Sequence, residues 1–483
     1  MGAWNLSPFR GDREPTRPKF VEIRSSRWFI LFAVSFATAT IVPVTPTALE
    51  DRVGLPSGSI QSWTSILLAL YSASLLACSP IVGYIADRAE SRRWPLLLGL
   101  IALGAATALL CVGTNIGLWI AGRLFQGAAA AVVWTVGVAL MVDTVGKEGL
   151  GQAIGYVSMS LSIGTLAGPL LGGVLYQDGG YYSVFGLAFG LIAIDIILRL
   201  TLIEKRHALK WLEPEKTPAA NSTETDKENS SPAPDSINSP RRLRQLEATA
   251  SERISPSPLK QVTTLLKSYR LVVAFWGYFV MSLIMTSFDS VLPLFVKETF
   301  GWQPTGQGLA FIPLMVPHVL DPITGYFIDR YPKSSRYIVT SGFLAAVPIS
   351  VLLRLVTENT MHDKVLLCAL LTLLGACLAV VMTPLVAEVF HAVKEKEDES
   401  PNIFGRGGAM ALAFGLSNMG FAAGALIGPF FAGFIRQNAG WGTMGWAMGL
   451  ISGVTALPCL LFIGGWILNK PVSANTEGRS DLE

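Results

Sequence analysis

Long apolar stretches alternate with short polar ones along this chain, and the stretches run on for about 18–25 residues without the half-turn changes of polarity that mark an amphipathic helix. Trp28 to Leu49 and Pro95 to Val112 are two of them. Each is long enough to cross about 30 Å of hydrocarbon as a helix. Twelve such spans are predicted, beginning near residues 28, 62, 95, 116, 152 and 181, then near 270, 304, 338, 364, 407 and 441. Between the sixth and seventh the pattern stops. The stretch "NSTETDKENSSPAPDSINSPRRLRQ" is Ser, Pro, Asn and charge, too poor in apolar side chains to fold alone. The expected organisation is a tail over 1–27, six spans over 28–204, a disordered linker over 205–268, six spans over 269–468 and a tail over 469–483.

The second half repeats the first. "GYIADR" at 83–88 and "GYFIDR" at 325–330 each close the second span of their half. "GTLAGPLLGG" at 164–173 and "GALIGPFFAG" at 424–433 lie in the fifth. Internal repeats in a many-span chain point to two six-helix halves that rock about a midplane site, the architecture of secondary transporters.

Composition agrees and adds an orientation. Hydrophobic residues make up 51% and charged ones only 15%, against about 25% charged in soluble domains. An even span count puts both ends on one side of the membrane. Arg24, Arg27, Arg88, Arg92, Arg93, Lys147, Arg330, Lys333, Arg336, Lys394, Lys396 and Arg406 cluster on that side, so both ends are expected to be cytoplasmic. This bias accounts for the net charge of +3 without a nucleic-acid partner. Met1 to Phe20 has no apolar core of a signal peptide, and Asn221, Ser222 and Thr223 form a glycosylation-like triplet on the cytoplasmic side, where it is not expected to be used. Cys78, Cys111, Cys368, Cys377 and Cys459 all fall inside predicted helices, where they pack as small apolar residues. His207, His318, His362 and His391 are scattered, and no phosphate-binding loop is present. An enzyme, a metal centre and a cofactor are therefore not expected.

With these motifs in view, the chain resembles the major facilitator superfamily, and within it the twelve-span drug:proton antiporters, similar to fungal multidrug or metabolite exporters and to vesicular amine transporter relatives. Gly83, Asp87, Arg88, Arg92 and Arg93 resemble the family's cytoplasmic loop signature, "RLFQGAAAA" from Arg123 its fourth-helix signature, and "GTLAGPLLGG" its fifth-helix antiporter signature. The loop departs from the family pattern after Asp87, reading Arg88, Ala89, Glu90, Ser91 before the next basic pair. The resemblance implies an all-α fold of twelve spans, working as a monomer on a small-molecule substrate and protons. It implies a gating latch of Asp87, Arg88, Arg92 and Asp143, with Asp329 and Arg330 as its second copy, near the start of the eleventh helix at Gly407 and Gly408. The alternative is that these charges only enforce topology. Gly164, Gly168, Pro169, Gly172 and Gly173 are implied to form a tight seam between the halves.

Ionisable groups in hydrocarbon are costly and usually face a bundle interior or an aqueous cavity. The candidates are Arg123, Asp195, Asp289, Asp321 and Glu388. The resemblance implies a role in proton transfer for Arg123. A guanidinium does not release a proton itself, so a carboxylate partner is needed, and Asp289 is the first choice. Asp195 and Arg199 stand four apart and neutralise each other on one reading. Asp321 and Glu388, near the cytoplasmic ends of their spans, are gate or topology residues on another. Trp134, Met141, Phe288 and Asn418 are candidate cavity residues. Val34, Tyr71, Ala379 and Asn418 stand where the amine-handling relatives carry charge. A cation has little to pair with there. The expected function is proton-coupled efflux of an uncharged or weakly acidic organic compound across the plasma membrane. A vacuolar or vesicular loader and an uptake symporter are the alternatives.

Overall fold

The computed structural model describes residues 41, 44–89, 91–145, 149–200, 257–302, 304–401, 403–405 and 407–467. Most of the predicted first span lies outside them, as does most of the linker. What remains of the first span is α1, Thr45–Asp51. The next five are α2 (Ser57–Arg88), α3 (Arg93–Val112), α4 (Ile116–Val145), α5 (Leu150–Gly179) and α6 (Tyr181–Leu200). The second half opens with α7 (Pro258–Leu266) and α8 (Tyr269–Phe300). The eighth span is α9 (Pro304–Leu309), α10 (Ile312–Met315), a 3₁₀ turn (Val316–Leu320) and α11 (Asp321–Arg330) in succession. Then come α12 (Ser334–Leu352), α13 (Met361–Glu399) and α14 (Met410–Phe462).

Ten of the described helices, counting the eighth span as one, are long and apolar enough to cross a membrane. The last holds two spans, because Gly440 interrupts it with φ 84° and ψ 172°, a conformation open in practice to glycine alone. Gly180, between α5 and α6, has φ 75° and ψ −174°. The two glycines lie 260 residues apart (440 − 180), the same offset as Gly428 from Gly168 in the repeated motif (428 − 168). The duplication read from the sequence is thus a duplication of backbone geometry.

One prediction is corrected at α7. The polarity of 258–266 predicts disordered linker, yet the segment forms a helix: Pro258 opens it, the Ser257 hydroxyl accepts from the Lys260 amide at 3.4 Å, and Leu265 is buried. The Gln261 side-chain amide donates to the Phe404 carbonyl at 2.7 Å, which docks the helix on the second half. Leu265 with Val262 supplies the apolar stripe that the surrounding charge conceals.

The end of the bundle at which α6 stops and α7 starts is here named the linker end. Its core is common to both halves: Val138, Met141 and Ile154 pack in one cluster with Phe390, Phe414 and Leu416. Toward the opposite end the cores separate. Leu110, Trp119 and Phe185 form one within the first half, and Phe288, Phe295 and Met448 belong to a cluster almost wholly of the second. Burial of shared apolar surface therefore joins the halves at the linker end. At the opposite end they part.

Candidate functional site

The joint between the halves is built from two carboxylates, two helix starts and a set of glycines. Asp87 ends α2, and its carboxylate accepts from the Ala411 amide at 2.9 Å and the Leu412 amide at 2.8 Å, in the first turn of α14. Asp329 ends α11 and accepts from the Gly151 amide at 2.7 Å and the Gln152 amide at 2.9 Å, in the first turn of α5. The carboxylates are 242 residues apart (329 − 87) and the amide pairs 260 (411 − 151). One arrangement is thus made twice, each time across the halves. A helix N-terminus presents unsatisfied amides and a partial positive charge, so a carboxylate there forms charge-assisted hydrogen bonds.

These contacts require bare backbone. A Cβ on Gly83 would meet the Ala411 carbonyl at 2.5 Å, and one on Gly415 the Ser79 carbonyl at 2.5 Å. Gly151 and Gly325 press on one another, and Gly155 lies against the Asp321 carbonyl with Pro322 Cα at 2.6 Å. Gly407 sits on the carbonyl of Asp87 itself. Sequence reasoning passed over Gly151, Gly155 and Gly415. The available signal was the offset of 260 between Gly155 and Gly415 (415 − 155).

Around Asp87 the arginines divide their work. Arg92 Nη2 reaches Asp87 Oδ1 at 3.2 Å and its Nε reaches Asp143 Oδ2 at 2.6 Å, so one guanidinium ties α2 to the end of α4. Arg88 lies over the Tyr84 ring, 3.8 Å from its centre, and Arg330 is exposed.

The structure does not bring Arg123 and Asp289 together. Arg123 is 2% exposed; its Nη1 donates to Gln126 Oε1 at 3.0 Å and its Nη2 to Thr45 Oγ1 at 3.1 Å. Asp289 is exposed, on another helix of the other half. Helix periodicity sets the face Asp289 takes: Tyr278 and Asp289 are eleven residues apart (289 − 278), three turns, and share a face of α8. Tyr278 lines a space between the halves, and Asp289 lies about 16 Å further along the same face of α8.

Between the halves near the linker end is a void of about 40 Å³, lined among others by Trp134, Met141, Ser158, Tyr278, Phe414 and Asn418. Three candidate cavity residues therefore do face one space. Phe288 does not. It is fully buried beside Trp441, ring centres 6.4 Å apart, because its position on α8 turns it into the core of the second half. The Asn418 amide donates to Ser79 Oγ at 2.8 Å across the halves. Toward the opposite end a crevice of about 500 Å³ opens between α2 and α14, lined by Ser62, Ser65, Ala69, Ala73, Leu426 and Phe430.

The remaining candidates divide. Asp195 and Arg199 pair at 3.4 Å, both buried. Glu388 is buried, not wetted: it accepts from Arg270 Nε at 2.7 Å and from the Gly464 amide at 2.8 Å, and Arg270 also pairs with Glu395, so the cluster ties α8, α13 and the end of α14 together. Asp321 is fully buried beside His318. Gly164, Gly168 and Gly172 are buried, with Pro169 inside α5. Their second copy, Gly424 and Gly428, lies against the backbone of Phe279 and Leu283 on α8, within the second half. The surface each glycine face meets is set by its helix neighbours, which the sequence does not display.

Comparison with known proteins gives the same architecture. Residues 27–405 match the family model described as Major Facilitator Superfamily. The chain is 33% identical over 465 residues, 91% of this chain and 96% of the relative, to the MFS-type transporter ppzB of Metarhizium rileyi. It is 33% identical to an uncharacterised MFS-type transporter of Schizosaccharomyces pombe over 84% of this chain and 88% of that one. A probable vesicular acetylcholine transporter of Danio rerio is 24% identical over 88% of this chain and 75% of its own. Among solved structures, the human organic anion transporter MFSD10 (TETRAN) superposes with a TM-score of 0.62 at 16% identity, covering 92% of this chain and 100% of the other.

Proposed function

The chain belongs to the major facilitator superfamily, and on that premise we propose that it exports a small, largely apolar organic compound in exchange for protons by alternating access. It is a multi-pass membrane transporter and not an enzyme. In this reading the linker end is cytoplasmic, and the shut linker end with the crevice at the other makes the structure an outward-facing state. Asp87, Arg92, Asp143 and Asp329 form the latch that keeps it so.

One observation carries the coupling. Asp289 shares the face of α8 that Tyr278 turns between the halves, three helical turns further from the linker end. A carboxyl there can take a proton from outside, and its neutral form is the cheaper one to carry through an apolar interior. Arg123, held by Gln126 and Thr45, supplies a fixed positive charge in the other half. The substrate's chemistry follows from what lines the path: Trp134, Met141 and Phe414 in the void, Ala69, Leu426 and Phe430 in the crevice. Ala379 is buried and Asn418 is bonded to Ser79, so neither place offers a carboxylate to a cation. The plasma membrane suits an exporter; likeness to vesicular transporters supports a loader of an internal compartment as the second reading.

Purified protein in liposomes with an imposed proton gradient tests this, with an apolar fluorescent dye as first substrate. Gradient-driven dye movement is expected in the wild type. Asp289→Asn should abolish it while leaving dye-for-dye exchange intact. Equal gradient-driven rates in the two would remove Asp289 from the coupling.

A further inference from the structure

We propose that His318 and Asp321 form a second proton-binding site, one that controls closure of the seam between α5 and α11. The proposal deepens the proton-coupled reading above and rests on it.

The pair sits where the eighth span is broken. Pro313, Pro317 and Pro322 each remove an amide donor, and the chain passes from α10 through the 3₁₀ turn before α11 begins at Asp321. His318 Nδ1 lies 3.3 Å from Asp321 Oδ2. The two residues are 1% and 0% exposed. Among the described residues, His318 Nε2 and Asp321 Oδ1 have no hydrogen-bond partner. Buried groups of this kind are normally satisfied, so the exception asks for an explanation.

The duplication of the fold supplies a control. At the hexapeptide offset, Asp321 takes the place that Ser79 has in the first half (321 − 79 = 242). Gly155 backs onto the Asp321 carbonyl as Gly415 backs onto that of Ser79. In the Ser79 seam the contact is neutral: the hydroxyl donates to the Leu75 carbonyl at 2.6 Å and accepts from Asn418. In the other seam the same place holds an acid and a base. One of two otherwise matched joints is therefore sensitive to protons.

Among the described residues, the neighbouring elements bring few titratable groups, each accounted for. On α5 the stretch 155–163 brings only Tyr156; on α13 the stretch 375–388 brings Cys377 and Glu388, the latter held by Arg270 and the Gly464 amide. Asp329, further along α11, is held by two amides, and Arg330 is exposed. On α12, Arg336 donates to the Ile463 and Gly465 carbonyls, and Tyr337 is exposed. A carboxylate beside a neutral imidazole has a net charge of −1; one added proton, on either group, makes the pair net neutral. A shut seam excludes water and favours the neutral pair, whereas an opened seam hydrates the carboxylate and releases the proton. No bond other than that to the proton changes.

The test is the distance across the linker end, read by paired spin labels on the full chain in lipid nanodiscs between pH 5 and 8. Labels at Ile197→Cys and Tyr337→Cys, both exposed on opposite halves, with the five native cysteines replaced, report opening. In the wild type the shut fraction should rise as pH falls. Asp321→Asn, nearly isosteric and without the acid, should abolish the rise of the shut fraction as pH falls. His318→Gln keeps a hydrogen-bonding group but accepts no proton, and should lower the shut-to-open ratio at pH 6 about tenfold. Wild-type pH dependence retained in Asp321→Asn would overturn the proposal, as would a wild type whose distance ignores pH. Gradient-driven transport in the same preparation is a separate readout: it persists if only the seam proposal fails, and vanishes if proton coupling itself is wrong.

Discussion

At the scale of single residues, the chemistry of this protein is concentrated in carboxylates whose surroundings differ sharply. Asp87 accepts two backbone amides and a guanidinium. Asparagine there keeps one acceptor and turns an N–H toward a donor, at a cost of about 2 kcal/mol to the shut linker end, or roughly thirtyfold in the shut-to-open ratio. A cysteine at Ser417, buried beside the void, should then react with a linker-side thiol reagent faster by a similar factor. Asp329→Asn should do the same from the other seam. If neither changes the rate, these hydrogen bonds do not hold the end shut. The sequence disclosed Asp87 and Asp329 because they stand in a repeated phrase. It could not disclose which face Asp289 or Asp321 takes, since both are single acids in apolar runs and only helix rotation and the neighbouring spans distinguish them.

At the scale of elements, the seams depend on helices whose backbones touch. Gly155→Val would drive a branched side chain into Asp321 and Pro322. It should prevent closure of the linker end, leaving the Ser417→Cys site permanently reactive and transport lost, with a lowered melting temperature because the core shared at that end is opened. Gly433→Ala, where a Cβ would meet nothing within 4 Å among the described residues, should transport normally. A Gly155→Val protein that still shuts would show that α5 and α11 need not meet. Span positions were legible because hydrophobic length is set by the membrane. The break in the eighth span was not: its apolar content suffices for one continuous helix, and three prolines within ten residues are what divide it. The helix at Pro258–Leu266 was hidden for the opposite reason, being too short to stand out from the polar segment around it.

At the scale of the whole molecule, the two halves share a core at the linker end and keep separate ones beyond it. Opening one end should therefore shut the other. A cysteine at Ala73, in the crevice, should react readily from the side opposite the linker in the wild type, and several-fold more slowly once Asp87→Asn shifts the molecule toward the other state. Equal rates would mean that the ends move independently. The duplication foretold this symmetry from the hexapeptides alone, whereas which end is shut is a property of packing that no motif states. The single-residue turns at Gly180 and Gly440 have a mechanical consequence. With no slack between them, the fifth and sixth spans cannot slide along one another at that end, nor can the eleventh and twelfth. Each hairpin therefore moves with its two arms tied at that tip, and bending is left to Pro169 and Pro429 within the arms.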